Sequence, residues 1–264
     1  MFLCELKRAV SRLSFKIVIL IGIVFSVLSL FQTGILGYTS SYEYIHTYWV
    51  SPFDRFIFFN LNPVSNILIM ILPLLCTLCF SDSYLEDMSS GFLKSIYTRE
   101  KKQSYLIAKF SANFIVSGVA FAAPLVLNLI SLMMLFPNIQ PHPILGKTTI
   151  FQGGLFPQFY YNHPVLYIFM WIFIYFLYSG VIGSIGLTLG IFIKNKFIIL
   201  VSPFLIWWFG EVIFEFLNLG KFSPFQFLYL SNSQNISIII FEFILLLSIT
   251  FIPFYIGGCI NETY

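Results

Sequence analysis

Charged residues are scarce in this chain: Asp, Glu, Lys and Arg make up 9% of its 264 residues, whereas 58% are hydrophobic and 20% are aromatic. A soluble domain averages about a quarter charged residues. A chain with so little charge cannot cover a globular surface with polar groups, but it can face lipid. The composition therefore excludes a soluble globular protein and predicts an integral membrane protein.

Sequence motifs for chemistry are also missing. The chain has no H-E-x-x-H, no G-x-S-x-G and no paired Asp on facing spans. The sequence GKTT at 146–149 resembles the end of a phosphate-binding loop, but Pro141 stands where that motif needs its first glycine. Cys76 and Cys79 form a single C-x-x-C, which favours a structural role, and the three histidines lack metal-ligand spacing. We therefore expect no enzymatic activity, metal or cofactor in this chain.

Long hydrophobic runs account for most of the residues. Crossing ~30 Å of hydrocarbon takes about 20 helical residues, and six runs are long enough. The runs are continuous and do not alternate with period two, which favours helices over a β-barrel. We predict an all-α polytopic membrane protein with one domain over residues 1–264. The predicted spans are 17–36, 63–81, 106–136, 164–192, 197–217 and 237–260.

The distribution of Lys and Arg predicts the orientation. With the N-terminus inside, eleven of the 14 lie in the cytoplasm and three lie outside, among them Arg55 in the loop 37–62. Because cytoplasmic loops carry the excess of basic residues, we expect both termini to be cytoplasmic, in a cell membrane. Before the first span, apolar residues at helical spacing among basic ones predict an N-terminal amphipathic helix at the cytoplasmic interface. These apolar residues are Leu3, Leu6, Val10 and Leu13.

The segment 86–109, EDMSSGFLKSIYTREKKQSYLIAK, lies between the second and third spans and carries eight of the 25 charged residues. Its apolar residues recur at helical spacing and predict a short amphipathic helix. They are Met88, Phe92, Leu93, Ile96 and Tyr97. Such a helix has two explanations: it lies among the lipid headgroups with its Lys residues on anionic lipid, or it binds a groove on a cytoplasmic partner.

The order of these features resembles the permease subunit of ABC transporters of the type-2 export family. The likeness rests on the basic helix before the first span, the stretch EDMSSGF, the run REKKQSYLIAK and the fourth-span end GSIGLTLGIFIKNKFIILVSP. In that family the loop between the second and third helices is a coupling helix that docks into the ATP-hydrolysing subunit. The resemblance implies that the ATPase-binding residues here are Glu86, Asp87, Met88, Phe92, Leu93, Lys94, Ile96, Tyr97 and Arg99.

The same resemblance implies the membrane subunit of an ATP-driven exporter. Two copies of the permease, or this chain with a related one, would enclose the path, and separate ABC ATPase subunits would bind ATP and Mg. An aromatic-rich outer surface suggests a hydrophobic or amphipathic cargo, such as a peptide antibiotic or a lipid. Two alternatives stay open: an ion-coupled secondary transporter, and a membrane sensor or scaffold that transports nothing. We expect a lipid bilayer around the chain and no nucleic-acid partner.

Acidic and small residues within the spans supply the remaining candidates. Glu211, Glu215 and Glu242 are costly to place in a membrane, which suggests a role in the translocation path or its outer gate. The alternative is that they reach interfacial water, and the resemblance implies a re-entrant element around 211–219. Glycines of the fourth span have the three- and four-residue spacing typical of close helix packing. They are Gly183, Gly186 and Gly190.

Overall fold

A computed structural model of the protein describes residues 1–32, 51–59, 63–142, 154–223, 228 and 235–260. Within these ranges the regular structure is helical, with no strand. The GKTT sequence, the last four residues of the first predicted span and Lys147 lie outside the described residues.

Ten α-helices are present in the described ranges. They are α1 (Phe2–Ser11), α2 (Leu13–Ser29), α3 (Pro63–Phe80), α4 (Ser83–Ser89), α5 (Phe92–Tyr97), α6 (Lys102–Leu135), α7 (Pro157–Asn162), α8 (Pro164–Phe192), α9 (Lys196–Phe216) and α10 (Ile236–Ile260). Short 3-10 turns occur at Phe53–Arg55 and Gly220–Phe222.

Six of the helical segments are long and apolar enough to cross a membrane, which confirms the predicted number of spans. Their bounds are Leu13–Gln32, Pro63–Ser89, Lys102–Leu135, Pro164–Phe192, Lys196–Phe216 and Ile236–Ile260. The first and third spans begin about four residues before their predicted starts. The reason is that hydropathy marks where lipid contact begins, whereas a helix continues through the charged residues beside it.

The long helices α6 and α8 form the centre of the bundle: α6 packs against α1, α2, α3, α8 and α10, and α8 packs against α3, α6, α9 and α10. Gly183 permits the close crossing of α8 and α6. A Cβ built on Gly183 would lie 2.4 Å from the Ser117 hydroxyl of α6, and one on Gly186 would lie 2.9 Å from Ser81 Cβ. A Cβ on Gly190 has its nearest neighbour at 3.7 Å, which is ordinary contact.

The first helix, α1, ends at Ser11, and the extended backbone of Arg12 separates it from α2. Glu5 and Ala9 are buried against the bundle, while Leu3 and Val10 are exposed on the other side of the helix. The predicted N-terminal helix therefore forms, but its predicted apolar face is divided: Leu6 packs against the core of the bundle, and Leu13 is the first residue of α2. Its position at a membrane interface stays a prediction.

The predicted single helix over Met88–Arg99 is instead two short helices, α4 and α5, and this part of the prediction is wrong. The break falls at Gly91, whose φ of +72° is left-handed. Glycine has no Cβ and adopts this conformation readily, so the chain turns here. The apolar periodicity continued across the break and concealed it.

Candidate functional site: a buried charge network

Eight charged side chains form two neighbouring groups of ion pairs at one end of the bundle, which we call the charged end. We call the set the charge network. Its members are Glu5, Arg8, Arg12, Asp82, Glu86, Asp87, Lys109 and Lys196. Four are cations and four are anions, so the network is neutral as a whole. A balanced set suits a buried position, because an uncompensated charge there carries a large desolvation cost.

Lys109, on α6, belongs to the first group, with Glu5, Arg8 and Asp87, and its side chain is 0% exposed. Its Nζ is 2.5 Å from Asp87 Oδ2 and 2.8 Å from Glu5 Oε2. The Tyr105 hydroxyl donates a 2.6 Å hydrogen bond to the same oxygen of Asp87, and the Arg8 guanidinium lies 2.5 Å from Asp87 Oδ1. Asp87 is thus held from α6 on one side and from α1 on the other.

The second part of the network lies closer to solvent. Arg12 contacts Asp82 at 2.6 Å and also pairs with Glu86. Lys196, at the start of α9, reaches the same two carboxylates at 2.5 Å and 2.8 Å. Because the Lys196 side chain is 55% exposed, water screens its pairs more than those of Lys109.

Local sequence explains why these side chains meet. Arg12 occupies the extended residue between α1 and α2, and Asp82 is the N-cap residue of α4. The Phe80 ring, at the end of α3, lies 4.9 Å from the Arg12 guanidinium carbon and 4.7 Å from Lys109 Nζ. Cations over an aromatic face are attracted by its electron density, so Phe80 stabilises both parts of the network.

Arg8 shows the electrostatic balance outside the spans. Burial by itself would lower the pKa of its guanidinium, but the adjacent Asp87 carboxylate favours the charged form and the pKa is raised overall. The Arg8 guanidinium therefore stays charged beside Asp87. Among the described residues, no group of three His, Cys, Asp or Glu side chains is placed to hold a metal ion.

Of the residues predicted to bind an ATPase, four contact the bundle, and three of these, Asp87, Leu93 and Ile96, are buried. Glu86 and Asp87 belong to the charge network. Leu93 and Ile96 of α5 are buried in an apolar cluster with Tyr105 and other side chains of α6, α8 and α10. These four residues fasten the segment to the bundle, and the two apolar ones are covered by the chain itself.

The remaining predicted residues lie at or near the surface. Met88 and Tyr97 are half-buried at the edge of the same cluster. Phe92 is 45% exposed, and Lys94 and Arg99 are exposed. The predicted ATPase-binding residues therefore lie partly on a side that faces the bundle and partly on a side that faces away from it. Phe92 is the large apolar side chain on the side of α5 that faces away from the bundle.

The three intramembrane glutamates have different surroundings. Glu211 accepts a hydrogen bond from Ser223, and Glu215 is exposed on the last turns of α9. Glu242 of α10 is 8% exposed and its carboxylate makes no hydrogen bond within the described part of the chain. It lies near Tyr178 of α8, whose hydroxyl donates to the Ile239 carbonyl.

Six members of the charge network were not among the predicted site residues: Glu5, Arg8, Arg12, Asp82, Lys109 and Lys196. The sequence carried a signal for one of them. Lys109 lies within an apolar stretch of a membrane-length helix, where an ionisable residue usually has a partner and a function. Apart from the local pair of Glu5 and Arg8, the other pairs join residues as far apart as Asp82 and Lys196, so no local pattern reveals them.

Comparisons with known proteins give little further information. No protein-family model matches the chain, and no solved structure matches it. It is similar to the uncharacterized protein YybM of Bacillus subtilis (strain 168), with 24% identity over 141 residues. The alignment covers 53% of this chain and 56% of YybM, so the chain matches about half the length of that relative. Because YybM is itself uncharacterized, the likeness brings no function with it.

Proposed function

We propose that this chain is the membrane subunit of an ATP-driven exporter of the type-2 ABC permease kind, and that a separate ATPase binds at residues 86–99. One observation carries the proposal. The same short segment joins the charge network through Asp87 on its inner side and presents Phe92, Lys94 and Arg99 on its outer side. A site that transmits force needs both an exposed contact surface and a firm attachment to the helices that move.

The attachment is firm because it is distributed. Asp82, Glu86 and Asp87 pair with residues of α1, α6 and α9 and with Arg12 at the start of α2. A displacement of α4 and α5 by an ATPase would therefore act on several helices together. In the proposed mechanism, closure of two ATPases with bound ATP and Mg pushes these segments, and the membrane halves rock apart at the opposite end.

The second membrane subunit and the cargo follow from the same proposal. Most of the surface of α9 and α10 is exposed. In the membrane-spanning part of each of these helices 17% is buried, whereas the value is 56% for α6 and for α8. These faces are apolar and suit lipid or a second permease copy. A hydrophobic or amphipathic cargo, either a peptide or a lipid, would pass between the two copies.

Purification of the tagged chain from its native membrane tests the proposal. We expect vanadate-sensitive ATP hydrolysis to co-purify with it. The activity should be lost in the double variant Phe92→Asp/Lys94→Glu, because the first change replaces an exposed apolar side chain with an acidic one and the second reverses a charge. Lys7→Glu is the control, since Lys7 is exposed on α1 at the same end. Absence of ATP hydrolysis from the unmodified complex, or full retention in the folded double variant, would refute the assignment.

Glu242 favours a second candidate, the ion-coupled secondary transporter. A carboxylate that is buried in a membrane-length helix without a hydrogen bond in the described residues is where a transported proton or cation could bind. In that case Glu242→Gln would abolish uptake or efflux driven by an ion gradient, while Phe92→Asp would leave transport intact. The ATP-driven exporter predicts the opposite pattern for the two variants.

A further inference from the structure

The loop between the first two spans enters the bundle. Each of residues 51–59, SPFDRFIFF, is buried. The segment contributes five large apolar side chains, each at most 4% exposed, to the core. They are Phe53, Phe56, Ile57, Phe58 and Phe59. We call residues 51–59 the plug segment.

The plug segment reaches deep into the half of the bundle remote from the charged end. The Phe58 ring lies 4.5 Å from the Tyr175 ring of α8 and 6.3 Å from the Phe121 ring of α6. At 1.5 Å per residue, Tyr175 is about 16 Å along α8 from Pro164, and Phe121 is about 21 Å along α6 from Leu135. The plug segment therefore fills space among the long helices and does not merely cover their ends.

The backbone of the plug segment is a 3-10 turn followed by further turns, without α-helix or strand. Such irregular backbone is tolerated at membrane depth only where protein buries it or where it lines a cavity. The segment has specific attachments: the Ser65 hydroxyl donates to the Ile57 carbonyl, and the Tyr160 hydroxyl donates a 2.5 Å hydrogen bond to Asp54 Oδ1. The space it occupies is thus matched to a peptide.

The walls of this space are aromatic. Phe59 lies 5.2 Å from the Tyr160 ring and 6.4 Å from the Tyr167 ring, and Phe58 lies against Phe121 and Tyr175. We call Phe121, Tyr160, Tyr167 and Tyr175 the aromatic pocket. Aromatic pairs at these separations attract one another beyond the burial of area. Tyr160 adds one polar contact, which recognises a carboxylate.

We propose that the aromatic pocket is a binding site for short peptide segments with aromatic side chains in a turn conformation, and that residues 51–59 act as a plug that occupies it until such a ligand takes their place. The present occupant shows what the pocket accepts: a nine-residue peptide with four phenylalanines and one acidic side chain. An acyl chain by itself has no carboxylate to accept the hydrogen bond that the Tyr160 hydroxyl donates to Asp54. The inference rests on the proposed function for the idea that a cargo enters the bundle, but its test needs no ATPase.

A cysteine in the plug segment reports whether the plug leaves the pocket. Phe58→Cys is placed in a full chain whose four native cysteines are replaced, in nanodiscs of phosphatidylcholine and phosphatidylglycerol. We measure its rate of reaction with a membrane-impermeant maleimide. Tyr160→Phe should accelerate labelling on the order of tenfold, because it removes one hydrogen bond that holds the plug. Tyr178→Phe is the control, since it removes a 2.7 Å hydrogen bond to the Ile239 carbonyl outside the plug.

A peptide of the plug's own sequence, SPFDRFIFF, tests the ligand class. Added to the Phe58→Cys protein, it should accelerate labelling in a saturable way, while a scrambled peptide of the same composition should not. Equal labelling rates in Tyr160→Phe and Tyr178→Phe would show that the segment is a fixed part of the core and overturn the plug. Acceleration by oleate but not by the peptide would overturn the peptide site in favour of a lipid site. Ser51→Cys is the second reporter if Phe58→Cys does not fold.

These outcomes are independent of the proposed function. Absence of ATP hydrolysis from the unmodified purified complex would refute the assignment as an exporter. The labelling rates with and without peptide would still decide whether the plug segment can be replaced in the aromatic pocket. A fixed plug would in turn leave the proposed ATPase binding at residues 86–99 untouched.

Discussion

Replacing Lys109 with methionine tests whether the charge network holds the bundle together. Methionine keeps an unbranched side chain, one atom shorter than that of lysine, and removes the charge. Asp87 would retain Arg8 and the Tyr105 hydroxyl, but the pair between Glu5 and Lys109 at 2.8 Å would be lost. Breaking a buried pair by removing one partner costs about 3–5 kcal/mol. Since Asp87 stays compensated, we expect a loss of about 3 kcal/mol in the free energy of unfolding.

Thermal unfolding of the purified protein measures this loss. For a chain of this size, about 3 kcal/mol corresponds to a fall in Tm of roughly 6–10 °C. The matched control is Lys196→Met. Because the Lys196 side chain is 55% exposed, its pairs are expected to contribute about 0–1 kcal/mol, or roughly 0–3 °C.

A second substitution distinguishes lost electrostatic compensation from lost packing. Glu5→Gln added to Lys109→Met removes the carboxylate that the first change leaves with only its 3.9 Å pair to Arg8. The double variant should therefore be more stable than Lys109→Met alone, recovering about half of the loss. If Lys109→Met lowers Tm no more than Lys196→Met, or if adding Glu5→Gln does not raise Tm again, the buried ion pairs of the network do not stabilise the bundle.

Three further predictions follow from burial. Gly183→Ala should cost about 1–3 kcal/mol of stability because its Cβ would overlap α6, whereas Gly190→Ala should be neutral or gain up to about 1 kcal/mol from helix propensity; thermal unfolding compares them. Leu93→Asp should prevent folding or lower Tm strongly, whereas Phe92→Asp should change stability by about 0.5 kcal/mol or less; size-exclusion profiles and Tm separate the two. Glu242→Leu should stabilise the protein by about 1–3 kcal/mol, since it removes a buried carboxylate with no hydrogen bond among the described residues; an unchanged or lower Tm would contradict this.

The membrane-length helices could be predicted from sequence because lipid imposes a simple rule, about 20 apolar residues for each crossing. The break at Gly91 could not, because Leu93 and Ile96 continue the apolar spacing of Met88 and only the backbone conformation interrupts it. The burial of residues 51–59 was equally hidden. A short run of apolar residues outside a span is also typical of an interfacial loop, and only the aromatic walls on α6, α7 and α8 decide its position.

The charge network shows a different limit of prediction from sequence. Glu86 and Asp87 were singled out as charged residues of a segment expected to bind a partner, and their nearest partners prove to be cations of the same chain. Positive-inside counting treated Lys109 as one more basic residue on the cytoplasmic side. Its neighbours, Phe110 and Ala108, are apolar and indicate a buried cation, but the identity of its carboxylate partners depends on how α1 folds back against α6.

The two ends of the bundle are held by different forces, and α6 connects them. Lys109, in the charge network, and Phe121, in the aromatic pocket, lie on this one helix, about 18 Å apart along its axis. A change in how the network holds α6 should therefore alter the wall against which Phe58 rests. We predict that Lys109→Met raises the labelling rate of Phe58→Cys about fivefold or more, a typical size for coupling between two sites, at temperatures well below the Tm of the variant. Lys196→Met, which leaves α6 untouched, should not change the rate. A lower Tm in Lys109→Met with an unchanged labelling rate would mean that the network stabilises the fold but that α6 carries no signal from the charged end to the plug.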